Sequence, residues 1–204
     1  DFVVEDENGN QIEIEIKNNT VIELYKYNYD KYLRRMSNNI KNENISKAFE
    51  NIHEWENKPL PLSDIKNHYS PTIEWMPYYA IGDIEGLHKV HNKLKKLKNK
   101  GLNHLDVDNT MIITEGRISQ LSGEYEAAID HFQNLNTKDF MVKYRNFTDP
   151  LINCYSKLGN HVTASEIANK NSRLVSKRKE WALKAPGEQL WKNEAIEAAA
   201  YVTA

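Results

Sequence analysis

The chain has 204 residues, of which 40% are hydrophobic and 27% charged, and its formal net charge is −2. That length fits one domain with small appendages, and the near-neutral charge argues against nucleic acid as the main partner. The low hydrophobic share suits an elongated helical array better than a sphere. No apolar run approaches the ~20 residues a membrane span needs, and no signal peptide is visible. Cys154 is the single cysteine, so no internal disulfide can form. This favours a reducing, cytoplasmic setting. The chain opens on Asp1 rather than Met and is expected to be a processed or excised piece, which leaves an extracytoplasmic location open.

Residues 1–17 differ from the rest of the chain. Ile12, Ile14 and Ile16 alternate with Glu13 and Glu15 after Gly9-Asn10, and Asn8-Gly9 between two β-prone runs signals a hairpin. The hairpin is an appendage or the end of a preceding domain. Asn18-Asn19-Thr20 can cap a helix from Val21 to about Asn39. A second helix, near Ile45 to Asn57, stops before Pro59-Leu60-Pro61. Ser70-Pro71 starts a third, and Pro77 is expected to kink or break it. A fourth runs from Ile84 to a lysine-rich end before Gly101. Asp108 or Asn109 is expected to cap the next helix, and Pro150 to bend the run after residues 137–146. The helix from Val162 is expected to continue to Trp181, with Ala185-Pro186-Gly187 ending it. A last segment, Glu188 to Val202, is expected to cap the array or trail from it, giving a division at 1–17, 18–185 and 186–204.

The chain is organised around Met111 to Leu135, two helical runs joined at Ser122-Gly123-Glu124. Gly116 permits close approach on the first run, and Tyr125, Ala128, Phe132 and Leu135 share one face of the second. A similar turn recurs at Leu158-Gly159-Asn160, 36 residues on (159 − 123), and at Ile81-Gly82-Asp83, 41 residues before (123 − 82). Glu43-Asn44-Ile45 is a fourth copy without the glycine. These hairpins resemble tetratricopeptide repeats, whose period is about 34 residues. The resemblance covers about Val21 to Leu174 and implies an all-α solenoid of three to four helical hairpins, with the β-hairpin in front and a helix behind.

The remaining motifs carry little chemistry. Asp106-Val107-Asp108-Asn109-Thr110 resembles the nucleophile motif of haloacid dehalogenase-type phosphatases, but Lys98 to Leu105 cannot form the buried strand that motif requires. It is expected to be a capping loop. Neither that loop nor Asp6 to Lys17 has the glutamate an EF-hand needs in its twelfth position. His88 and His91 are three apart, with no third metal ligand evident. The lysines from Lys89 to Lys100 lack interleaved aromatics and read as a solvated face. Asn18, Asn44 and Asn146 begin sequons that an asparagine-rich chain produces by chance. Neither catalysis, a cofactor nor a metal is expected.

In tetratricopeptide proteins the first helices of the hairpins line a concave groove. The resemblance therefore implies protein or peptide binding by Tyr69, Thr72, Met76, Tyr79, Ile113, Arg117, Gln120, Asn146, Asp149, Asn153 and Lys157. Arg117 and Asn153 hold equivalent positions and are expected to be exposed, so that removing both would barely affect folding. The alternative is a sensory or regulatory ligand-binding domain of a larger bacterial signalling protein.

Overall fold

The computed structural model describes residues 2–5, 11–14, 34–36, 38–40, 42, 44–57, 74–99, 105–135, 147–185 and 189–203. Strands β1 (Phe2–Glu5) and β2 (Gln11–Ile14) pair antiparallel, with Phe2 opposite Ile14 and Glu5 opposite Gln11. The Asn-Gly turn expected between them lies outside the described residues, as does most of the helix expected from Val21. The rest of the described chain is predominantly α-helical. After helical residues at 34–36 and 38–40 come α1 (Ile45–Asn57), α2 (residues 74–80), α3 (Ile84–Asn99), α4 (Leu105–Leu121), α5 (Tyr125–Gln133), α6 (Thr148–Lys157), α7 (His161–Lys170), α8 (Ser172–Lys184) and α9 (Leu190–Ala199). No described helix is long and apolar enough to cross a membrane.

The turns repeat in atomic detail. Gly82, Gly123 and Gly159 have φ of 75°, 81° and 74°, a left-handed conformation that costs glycine little. The residue after each donates its backbone N–H five residues back: Asp83 to Tyr78 (2.9 Å), Glu124 to Ser119 (2.9 Å) and Asn160 to Tyr155 (2.9 Å). Asn44 makes the same bond to Asn39 (2.8 Å), so the fourth turn closes in the same way. Three of these residues also cap the following helix. Asn44, Asp83 and Asn160 accept through Oδ1 from the backbone N–H of Lys47 (3.1 Å), Gly86 (2.8 Å) and Thr163 (3.2 Å). Glu124, one methylene longer, makes no such bond.

Four residues beyond each capping position stand Ala48, Leu87, Ala128 and Ala164, all 0% exposed. Leu87 and Ala128 belong to one buried core and Ala164 to another. Gly116 faces Phe132 so closely that a Cβ there would lie 2.6 Å from the ring. One core joins Trp75, Tyr79, Leu87, Leu94, Ile113, Phe132 and Phe147, with the Phe132 and Phe147 rings stacked at 5.5 Å. A second joins Ile152, Ala164, Ala168, Val175 and Ala198, drawing α9 against α6, α7 and α8.

Several expected boundaries move. Asp106 to Thr110 belong to α4 rather than to a capping loop, and Lys98 pairs with Asp108 at 2.8 Å, tying α3 to α4. Pro77 lies within the helical residues 74–80 and does not break them. Pro150 is the third residue of α6, where its missing N–H has no helical partner to lose. Instead of one helix from Val162 to Trp181 there are two. Asn171, at φ −118° and ψ 21°, ends α7, and its side chain donates to the Ile167 carbonyl at 2.9 Å.

Candidate functional site

Six residues before each turn glycine stand Met76, Arg117 and Asn153, and three before stand Tyr79, Gln120 and Ser156. The hairpin register thus brings these side chains to one wall, formed by α2, α4 and α6. The wall is not open. Helix α9 lies along it, and Glu194 is the hub of the contact. Arg117 donates from Nη1 to Glu194 Oε1 at 2.8 Å and from Nη2 to Oε2 at 3.3 Å, a two-pronged ion pair between side chains 7% exposed. Gln120 Nε2 donates to the same Oε1 at 2.7 Å and to Asn153 Oδ1 at 3.2 Å. The Tyr79 hydroxyl donates to Oε1 at 3.1 Å. Arg117 also donates to Gln120 Oε1 at 2.7 Å, and its guanidinium lies 3.8 Å from the Tyr79 ring centre.

The electrostatics fit this arrangement. Burial works against the Arg117 charge, but Glu194, Tyr79 and Cys154 together outweigh it and raise its pKa. Burial pushes the Tyr79 phenol well above its ordinary range despite the nearby Arg117, so it serves as a neutral donor. Gln120 and Tyr79 add neutral donors to the Glu194 side of the pair, while Arg117 Nε is buried without a hydrogen bond among the described residues.

The contact continues along α9. Just before the helix, Gln189 donates to the Ile40 carbonyl. Leu190 approaches Gly82, whose Cβ, if present, would lie 3.5 Å from Leu190 Cδ1. Beyond Glu194, Glu197 accepts from Asn153 Nδ2 and lies 3.6 Å from Lys157 Nζ. Past the helix end, the Tyr201 hydroxyl shares hydrogen bonds with Ser156 Oγ (2.6 Å) and His161 Nδ1 (2.8 Å).

Of the residues expected to line a groove, Tyr79, Arg117, Gln120, Asn153 and Lys157 therefore converge on α9. The expectation that Arg117 and Asn153 are exposed is wrong. They are 5% and 9% exposed, because a helix from the end of the chain covers them. Ile113 is in the core at 3% exposed instead of facing a groove. Tyr69, Thr72 and Asn146 lie outside the described residues. Glu194, Glu197 and Trp191 were not singled out from sequence. The available signal was Glu194 and Glu197 set beside Ala195 and Ala198, a small-residue face fit for close packing.

Met76 and Asp149 open onto a cavity of about 260 Å³ beside the ion pair. Trp75, Tyr79, Phe147, Trp181 and Trp191 form much of its wall, with Arg117, Arg178 and Glu194. Asp149 Oδ2 accepts from Arg178 Nη1 at 2.8 Å, while Oδ1 is buried without a hydrogen bond among the described residues. Burial raises the Asp149 pKa to about 6, and Arg178 only partly offsets it. A carboxyl raised from 3.8 to about 6 favours the fold when protonated, so its contribution is lost as pH rises through 6. At 1.36 kcal/mol per unit, wild type should lose about 3 kcal/mol relative to Asp149→Asn between pH 3.5 and 7. Paired urea unfolding curves across that range measure the difference, and a constant difference would contradict the raised value.

Other candidate chemistry finds no setting. Burial pushes the Cys154 thiol up to about 12, leaving it protonated at neutral pH. His91 lies 3.4 Å from Thr114 Oγ1 and 3.6 Å from Glu115. Among the described residues no group of His, Cys, Asp and Glu converges to hold a metal. Compared with protein-family models, curated proteins and solved structures, the chain finds no match.

Proposed function

We propose that the chain is a non-enzymatic protein- or peptide-binding scaffold, a tetratricopeptide-like solenoid fronted by the β-hairpin. On this reading its inner face receives a helical segment. In the closed form α9 occupies that face as an internal ligand. One observation carries the reading. Successive residues of the C-terminal segment, Gln189, Leu190, Glu194 and Glu197, meet successive repeats, at Ile40, Gly82, Arg117 and Asn153, and Tyr201 reaches His161 in the last of them. That is how a bound helix tracks a repeat groove. A competing partner would need the same chemistry: a helix with acidic side chains three apart, each followed by a small residue, as in Glu194-Ala195-Ile196-Glu197-Ala198.

The proposal requires α9 to open without the array unfolding, which native-state hydrogen exchange tests. Glu194→Gln with Glu197→Gln should speed exchange of the α9 amides about tenfold or more and leave α4 and α5 unchanged. Exchange of α9 only by global unfolding, in both proteins, would make it a permanent core element.

The cavity favours a second reading, a sensory domain that binds a small molecule. A half-enclosed space with aromatic walls and a few buried polar groups is the usual form of such a site.

A further inference from the structure

We infer that the cavity beside Asp149 takes a small organic ammonium, an amine on a compact apolar or aromatic body; this rests on the reading of the cavity as a ligand site.

The unmet acceptor at its wall is the first argument. Asp149 is 4% exposed, its Oδ2 is held by Arg178, and its Oδ1 is buried with no donor among the described residues. A buried carboxylate oxygen left in this state is costly; it has almost no accessible surface, so an N–H donor in the cavity relieves it only when the carboxyl turns towards the space. The charges around it supply the second. Arg117 sends both terminal nitrogens to Glu194, which answers its charge although its Nε is buried without a hydrogen bond among the described residues, while Asp149 has one charge-assisted bond from Arg178. The upward shift of the Asp149 carboxyl agrees that its charge is under-compensated. The walls are the third. Trp75, Trp181 and Trp191 offer indole surfaces that suit an organic cation, and Lys177 already lies 5.2 Å from the Trp181 ring centre. Met76 adds an adaptable apolar contact. A half-enclosed space of about 260 Å³, the share of roughly nine waters, suits a compact ligand of about ten non-hydrogen atoms. Because Trp191 and Glu194 belong to α9, such a ligand binds the closed form and opposes its opening.

Isothermal titration of the full chain with 2-phenylethylamine, 2-phenylethanol and phenylacetate at pH 7.5 tests the inference. The amine should bind at least tenfold more tightly than either other probe, and Asp149→Asn should remove that preference. Asp149 faces Arg178 from α8, Arg117 from α4 and Glu194 from α9. Asp149, raised to about 6, gains its proton over this range, so wild-type affinity for the amine should fall about tenfold between pH 7.5 and 5. This second measurement decides the matter if Asp149→Asn does not fold. Equal binding of phenylacetate or phenylethanol, or an amine affinity unchanged by pH, would overturn the ammonium assignment and leave the cavity as a site for another class. Binding of none of the three would overturn both the assignment and the ligand-site reading.

Discussion

Replacing Arg117 with alanine should destabilise the protein by about 3–5 kcal/mol, the cost of stranding one partner of a buried ion pair. The stranded group is Glu194, 6% exposed, which would keep only the neutral donors Gln120 and Tyr79. Glu194→Ala should be destabilising for the converse reason, unless α9 lifts away and lets Arg117 hydrate. A double-mutant cycle separates these cases. If the pair is formed, the Arg117→Ala, Glu194→Ala double variant is less destabilised than the sum of the singles, because the second substitution removes a charge that the first left unpaired. Replacing both by apolar residues of similar volume, as in Arg117→Met with Glu194→Leu, should come close to wild-type stability or exceed it. Denaturant unfolding gives all four values, and additive single effects would show that the two charges do not meet.

Leu87→Ala should cost about 2–5 kcal/mol, even though alanine occupies the equivalent position in the other hairpins. Ala48, Ala128 and Ala164 are fully buried, and Leu87, equally buried, contributes a larger side chain to the core that holds Trp75, Tyr79, Val90 and Leu94. Repeat consensus alone would call the substitution harmless. Packing says that it opens a cavity the neighbours only partly close. Thermal and urea unfolding of the variant decide between these, and a change under 0.5 kcal/mol would mean that the α2–α3 pair is packed as loosely as a surface contact.

The turns were legible because their causes are local. A glycine at positive φ, an Asx residue after it and an alanine four residues further on are visible in Gly159, Asn160 and Ala164 without any knowledge of the rest of the chain. The same register picked out Arg117, Gln120 and Asn153 as one wall. What covers that wall was not legible, because Glu194 is 77 residues from Arg117 and no local pattern links them. A polar residue off the packing face looks exposed until a partner from elsewhere is counted, and this produced the wrong expectation for Arg117 and Asn153. Boundaries failed for a related reason. Asp106 to Thr110 look like loop, yet Val107, 1% exposed, packs into the core and Asp108 meets Lys98, so tertiary contacts extend α4 over weak formers. At Asn171 the opposite happens: helical periodicity runs through the position, and the side-chain bond to Ile167 closes one helix before the next begins.

If α9 is an exchangeable occupant of the wall, a single titration reveals it most directly. A fluorescent peptide with the sequence of residues 189–203 would be added to the wild-type full chain and to its Glu194→Ala variant, with anisotropy as the readout. The internal helix of wild type competes for the wall and reduces apparent affinity by the fraction of closed chains. The peptide should bind the variant at least tenfold more tightly than wild type, and a peptide with alanine in place of its first glutamate, the one matching Glu194, should lose that affinity. Equal binding of the two peptides, or no binding to the folded variant, would contradict an exchangeable α9.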